Sequence, residues 1–396
     1  MKSVKNWERS GMTYKLSDIC TFTDERVVVT NLDLNNYIST ENMLQNKEGV
    51  IRSAGLPTVN QIQAYQPGDV LISNIRPYFK KIWFADRSGG CSNDILVLRA
   101  KENTYPGFLY YLLSDNAFFN YAAATAKGTK MPRGDKDAIM KYVVPNLPIG
   151  IQIKTADILS ALDAQISNNK AINNHLEQIA QAIFKSWFVD FEPFGGKMPK
   201  DWKKGLLGQF VDVRRGCSPR PIQNFLSDKG LPWLKISDIT TLQTPFVLEI
   251  KEHIKESGLK KTIFLKSGTL VLSNSATPGI PKILGIDTCI HDGWLYFPFS
   301  LFSNEYLYLL FKHIQKDLIA LGNGSIFTNL KIDILKNYVV NDPDKQTRCR
   351  FDKLVRPIFR EIEYRTQESL SLSKLRNDLL PKLMSGEIDV SQFKTD

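Results

Sequence analysis

The chain has 396 residues, 43% of them hydrophobic, enough to bury the cores of two or three domains and to exclude wholesale disorder. Its formal charge of +10, from 51 Lys and Arg against 41 Asp and Glu, suits a polyanion such as nucleic acid without requiring one. No apolar run approaches the ~20 residues that cross a bilayer, the polar opening "MKSVKNWERSGMTYKL" lacks an export signal core, and five scattered cysteines without a CxxC pair argue against structural zinc or disulfides and for a reducing cytoplasm.

In chain order, residues 1–13 read as a leader. From 14 to 150, stretches such as "AYQPGDVLISN" and "SNDILVLRA" alternate apolar and polar residues between Gly, Pro, Asn and Asp, which predicts strands and turns. A helical pattern, "YPGFLYYLLSDNAFFNYAA", interrupts them at 105–123. Over 151–190, Leu159, Leu162, Ile166, Ile172, Leu176, Ile179 and Ile183 recur at three- and four-residue steps, predicting one long helix. Residues 191–205, with Gly195–Gly196, read as a linker. The strand-and-turn texture returns over 206–344 in "LPWLKISDI" and "KTIFLKSGTLVLSN", with a helical pattern again at 303–321. A second helical stripe occupies 345–386, carried by Phe351, Val355, Ile358, Ile362, Leu372, Leu375 and Leu379, with Pro357 expected to start or bend it. Residues 387–396 form a tail.

The chain is a duplication. "QPGDVLISN" (66–74) matches "KSGTLVLSN" (266–274), and "KYVVPNLP" (141–148) matches "NYVVNDPD" (337–344) at an offset of 196 residues. That offset then holds without a gap: Ile158, Leu159, Leu162 and Ile166 fall on Leu354, Val355, Ile358 and Ile362, and Leu176, Ile179, Ile183 and Phe184 fall on Leu372, Leu375, Leu379 and Leu380. Helices of about 35 residues or more run roughly 50 Å, beyond what a domain of ~135 residues comfortably covers. The two apolar seams are therefore expected to bury each other as an antiparallel, coiled-coil-like pair that spaces the front domains. The expected fold class is α+β: two similar mixed α/β domains joined by two long helices, with an internal pseudo-twofold repeat.

Catalytic constellations are missing from the sequence. The four histidines are dispersed without HExxH spacing, "GNGSIF" (322–327) lacks the third glycine of a dinucleotide loop, and there is no GxxxxGK[ST] phosphate loop. "NDPDK" (341–345) lacks the second proline and the aromatic of an amino-methyltransferase motif and reads as a turn before the second helix. The pattern is that of a reader.

Framework residues agree between the copies while the loops diverge. Copy one presents Arg76, Lys80 and Lys81 in one loop and Lys127, Lys130 and Arg133 in another. Copy two offers Arg214, Arg215 and Arg220 in "VRRGCSPRP", Lys235 and Ser237 at a strand, Thr277 and Lys282 after "LVLSN", and Asn323, Ser325, Thr328 and Asn329 in the later loop. Lys and Arg neutralise phosphates, whereas Arg, Asn, Ser and Thr can also read base edges. One scaffold with two loop sets is what two readers of two different sequences require. The alternative for each residue is an ordinary solvated turn.

"SNIRPYFKKIWFA", "GTKMPRGDKDAIM", "QAIFKSWFVDFEPF" and the terminal "LRNDLLPKLMSGEI" resemble the specificity subunit of type I restriction–modification systems, over nearly the whole chain. The resemblance implies two target recognition domains, each followed by a helical spacer, that read the halves of an asymmetric, split site in double-stranded DNA. It implies no catalysis and no bound cofactor in this chain. Two DNA methyltransferase subunits with S-adenosylmethionine would modify an adenine in each half, and restriction/translocase subunits using ATP and Mg would complete the enzyme. It implies no membrane role. Ile183, Phe184, Trp187 and Phe188 are then candidates for partner docking, with helix-end packing as the structural alternative. A stand-alone DNA-binding regulator of the same plan is the competing reading, and a self-sufficient methyltransferase or nuclease a further one.

Overall fold

The computed structural model describes residues 14–240, 242–322 and 329–392. It divides into two compact units, one formed by the chain up to Ala164 together with Leu372 onward, the other by Gln165–Ser371. Each unit holds one strand-rich domain and a portion of both long helices.

In the first unit, an antiparallel sheet has the order Cys20–Phe22, Ile95–Ala100, Val70–Ser73, Ile82–Phe84. Its central strands are buried on both faces, which is why they read as near-continuous apolar runs. Val70, Ile72, Leu96 and Leu98 face a core shared with Phe108, Leu112 and Phe118 of the helical segment. Leu71, Ile95 and Val97 face the opposite way, onto Ile38, Tyr65 and Cys91 of a second sheet ordered Arg26–Val28, Gln61–Tyr65, Gly89–Cys91, Tyr37–Ile38. The second unit repeats this plan. Its first sheet runs Val211–Arg215, Trp294–Ser300, Leu270–Ser273, Pro281–Leu284, Phe246–Val247. Leu270 and Leu272 point to the helical side and Val271 to the other sheet.

The copies differ in detail. Copy one breaks its helical segment into Pro106–Ser114 and Asn116–Ala124, because Asp115 turns extended and its carboxylate accepts the Ala117 N–H at 3.0 Å, capping a new helix. Copy two runs one helix, Asn304–Gly322. The strand expected to carry Lys235 and Ser237 ends at Leu234, and Ser237 lies in the single 3₁₀ turn Ile236–Asp238.

The long helices are Ile149–Phe188 and Lys345–Met384, 40 residues each. Pro357 neither starts nor ends the second one. It lacks the N–H that would bond the Lys353 carbonyl, but both residues are exposed and water can serve that carbonyl. In the first unit Ala156 and Leu159 pack with Leu380, Leu383 and Met384. In the second, Ala180, Phe184 and Phe188 pack with Phe351, Val355, Phe359 and Ile362. Between these apolar residues the second unit carries a polar layer: fully buried Asn169 donates to Glu368 at 2.7 Å and accepts from Arg365 at 3.1 Å, while Asn173 donates to Thr366 at 3.1 Å. Rising numbers on one helix meet falling numbers on the other, so the partners run antiparallel within each unit. The seam is narrower than the sequence stripe. Ile179, Leu354 and Leu375 are 49%, 47% and 47% exposed, because a two-helix seam covers a strip along each helix and these side chains sit on its flank. Among the described residues, no helix is long and apolar enough to cross a membrane.

Candidate nucleic-acid interface

The repeated Ser–Asn pair is where the loops are rooted. In copy one, Asn74 N–H donates to the Asp94 carbonyl at 2.8 Å and its own carbonyl accepts Gly134 N–H at 3.0 Å. In copy two, Asn274 does the same with Gly293 at 2.8 Å and Leu330 at 2.7 Å. Each asparagine thus ties the end of a buried strand to both loops beyond it. The pair was visible in the sequence as an identity but gave no sign of this bonding role.

In copy one the two loops are zipped into one ledge. Lys127 and Arg133 exchange backbone bonds at 2.8 and 2.9 Å, and Arg76 N–H donates to the Pro132 carbonyl at 2.8 Å. Arg76 and Lys80 both take left-handed backbone conformations, with φ of 51°, which costs a non-glycine residue about 1–2 kcal/mol. The Arg76 guanidinium lies 5.9 Å from the Phe79 ring. Lys80 Nζ donates to Asn116 at 2.9 Å and Lys81 Nζ to the Thr40 carbonyl at 2.6 Å; burial lowers the Lys81 pKa. Lys127 pairs with Asp135 at 2.6 Å and Arg133 with Asp94 at 2.9 Å. Bonding to Asp135 raises the Lys127 pKa, so this lysine stays charged. Lys130 is exposed and makes no ion pair among the described residues. Exposed ion pairs of this kind are worth about 0–1 kcal/mol. A phosphate can displace their carboxylates at little cost.

Copy two arranges its cations differently. Arg214 pairs with Asp212 at 3.0 Å. Arg215 donates to the Asp292 carbonyl at 2.5 Å, Arg220 pairs with the Asp292 carboxylate at 3.3 Å, and the Ser218 hydroxyl donates to it at 2.7 Å. Burial alone would raise the Asp292 carboxyl, but the Ser218 hydroxyl, its own backbone N–H, His291 and Arg215 together hold it below its usual value. Arg220 and Lys235 flank an open cleft of about 700 Å³ walled by Pro219, Trp233 and His291; Lys235 is ion-paired to Glu252. Burial lowers the His291 pKa, and its Nδ1 accepts Gly293 N–H at 2.7 Å. Sequence reasoning missed the Trp233–His291 wall, since neither residue stood in a basic loop. Ser237, Thr277 and Asn329 are exposed; Asn323, Ser325 and Thr328 lie outside the described residues.

Two expectations are corrected. Lys282 is not in an exposed loop: it lies on the strand Pro281–Leu284, is 4% exposed, and its Nζ donates to the carbonyls of Leu242 at 2.7 Å and Thr244 at 2.5 Å. Its ammonium is spent on the protein's own backbone and has no face for a phosphate. The candidate docking residues are core as well. Phe184 and Phe188 are 2% and 4% exposed, against Tyr306 and Phe351, and Ile183 and Trp187 pack partly buried on the same cluster. Four large apolar side chains at the end of a helix gain more from a core than from water.

The loops, the strands that root them and the helices beneath them fall inside recognisable domains. A family model for the type I restriction modification DNA specificity domain matches residues 6–178 and again 199–364. The chain belongs to this family. Each match contains one set of the basic and polar loops, the first with Arg76 and Arg133, the second with Arg214 and Arg220. The chain is similar to the type I restriction enzyme HindI specificity subunit of Haemophilus influenzae, with 26% identity over 95% of this chain and 99% of that one. It is also similar to the MjaIX specificity subunit of Methanocaldococcus jannaschii, with 25% identity over 74% of this chain and 71% of that one. The crystal structure of a type I restriction-modification system S subunit from M. genitalium covers 96% of both chains with a TM-score of 0.60 and 14% identity, a likeness of fold.

Proposed function

We propose that this specificity chain directs a type I restriction–modification enzyme to a bipartite, asymmetric DNA site. The carrying observation is that the DNA specificity domain occurs twice, each copy with its own rooted set of basic and polar loops. The loops of 74–81 and 127–135 read one half-site; those of 211–222, with Lys235, Ser237 and Thr277, read the other. The helix pair sets the gap between the halves and, on its exposed flank, receives two DNA methyltransferase subunits. Those subunits bind S-adenosylmethionine and methylate an adenine in each half. Restriction/translocase subunits, with ATP and Mg, add cleavage. This chain supplies recognition and no chemistry.

The test is competition binding of the complex formed with its methyltransferase subunits. Specific sites are typically bound about 10³–10⁷-fold more tightly than random DNA. The same complex without this chain should lose that preference and keep only salt-sensitive, non-specific affinity. Equal protection of target and random DNA at every salt concentration would exclude the assignment.

A further inference from the structure

A recognition domain that reads half of a split target must be seated on its spacer in one orientation. Hydrophobic burial supplies affinity for such seating but little direction, whereas a hydrogen bond accepts only a narrow geometry. In each unit, the surface between the recognition domain and the first long helix contains a carboxylate with a buried tyrosine on it. In the first unit, Tyr111 Oη donates to Asp163 at 2.9 Å, and Arg376 of the second long helix ion-pairs with the other Asp163 oxygen. In the second unit, Tyr308 Oη donates to Glu177 at 2.9 Å, and Lys312 and Gln181 also bond Glu177, at 3.3 and 3.1 Å. The tyrosines are 5% and 1% exposed and Glu177 is 7% exposed.

The two arrangements are not copies of one ancestral contact. The repeat puts Phe359 at the position matching Asp163, and there a ring, 5.4 Å from Tyr308, replaces the carboxylate. The second unit carries its carboxylate, Glu177, on the first long helix instead. Asp163 keeps a 30% exposed side chain, but Glu177 is buried, and burying a carboxylate is costly unless it is paired and bonded, so its presence there calls for a role that another leucine would not fill. Asp163, on the first long helix, binds two other elements at once: the recognition helix Pro106–Ser114 and the second long helix.

We infer that Asp163 with Tyr111, and Glu177 with Tyr308, are positioning residues that lock each recognition domain's orientation on the helix pair and thereby the gap between half-sites. The inference rests on the proposed bipartite reading. Neither carboxylate touches DNA; each acts through the domain it holds.

The test uses the full chain with its methyltransferase subunits in the host, reading methylated motifs by single-molecule sequencing. Tyr111→Phe and Tyr308→Phe remove only a hydroxyl. Expected is an unchanged sequence in both half-sites, with methylation at gaps one base pair too long or too short rising at least about tenfold over wild type. Glu177→Gln keeps an acceptor for Tyr308 and should hold the gap closer to wild type than Tyr308→Phe does; should Tyr308→Phe fail to accumulate, Tyr111→Phe carries the test. A uniform loss of methylation with gap fidelity intact, or no change, overturns the positioning role. If the wild type itself shows no split motif, the bipartite reading has failed, a result separate from the first.

Discussion

Replacing Lys282 with methionine should change how stability depends on pH while leaving the DNA target as it is. Burial is the main cause that lowers the Lys282 pKa from its ordinary 10.5 to about 8, with Glu177 opposing the shift and Lys312 adding to it. Below about pH 8 the ammonium is charged in both the folded and unfolded chain, and the fold carries the full cost of burying it. Between about 8 and 10.5 the folded chain has released a proton that the unfolded chain retains, so stability rises with pH across that window and levels off above it. At about 1.4 kcal/mol per unit the window is worth about 3 kcal/mol, of which about 2 fall between about pH 7.5 and about pH 10. Methionine also leaves the Leu242 and Thr244 carbonyls without their donor. That costs about 1–3 kcal/mol each, but it is independent of pH and enters the offset, not the slope. Urea unfolding of both proteins at the two pH values isolates the difference, because every other titrating group is common to both. Parallel pH profiles, or a changed base in the methylated motif, would refute this placement of Lys282.

Other consequences are equally direct. Alanine at Arg133 or Arg220 should leave the melting temperature within about 2 °C, since exposed ion pairs contribute about 0–1 kcal/mol; DNA titrations should show either a salt slope reduced by about one or a loss of about 1–3 kcal/mol with relaxed discrimination at one position. Phe359→Ala, in the core that joins Phe246 and Tyr308 to the helices, should cost about 3–5 kcal/mol, measured by chemical denaturation. Exchanging residues 14–150 for the matching domain of a relative should change one half of the methylated motif and spare the other. Four residues inserted near 168 and near 364 add about 6 Å of helix, and the gap read from the methylated motif should grow by about two base pairs at ~3.4 Å each.

Much of this architecture was legible because it was written twice. "VLISN" and "LVLSN" are strands buried on both faces, and the constant offset through the helices announced that the seam was duplicated too. The errors share a cause, which is that sequence reports residue type and not direction. Lys282 follows a Gly/Pro-rich turn and reads as a loop cation, but alternation on its strand turns it inward, where two carbonyls meet it. Ile179, Leu354 and Leu375 fit a three-four spacing yet miss the buried strip. Phe184 and Phe188 lie on a helix end with no visible cover, because their cover, Tyr306 and Phe351, arrives from more than a hundred residues away. The pairing of Tyr111 with Asp163 and of Tyr308 with Glu177 had no local signature at all.

Under the proposed function, this chain chooses the DNA sequence on which an adenine methyltransferase acts. Mapping N6-methyladenine across the host genome, with the gene intact and with it deleted, addresses that choice directly. One asymmetric motif, two half-sites separated by a fixed gap and methylated on an adenine in each, should disappear on deletion and return on complementation. A methylome unchanged by deletion would contradict the proposed function.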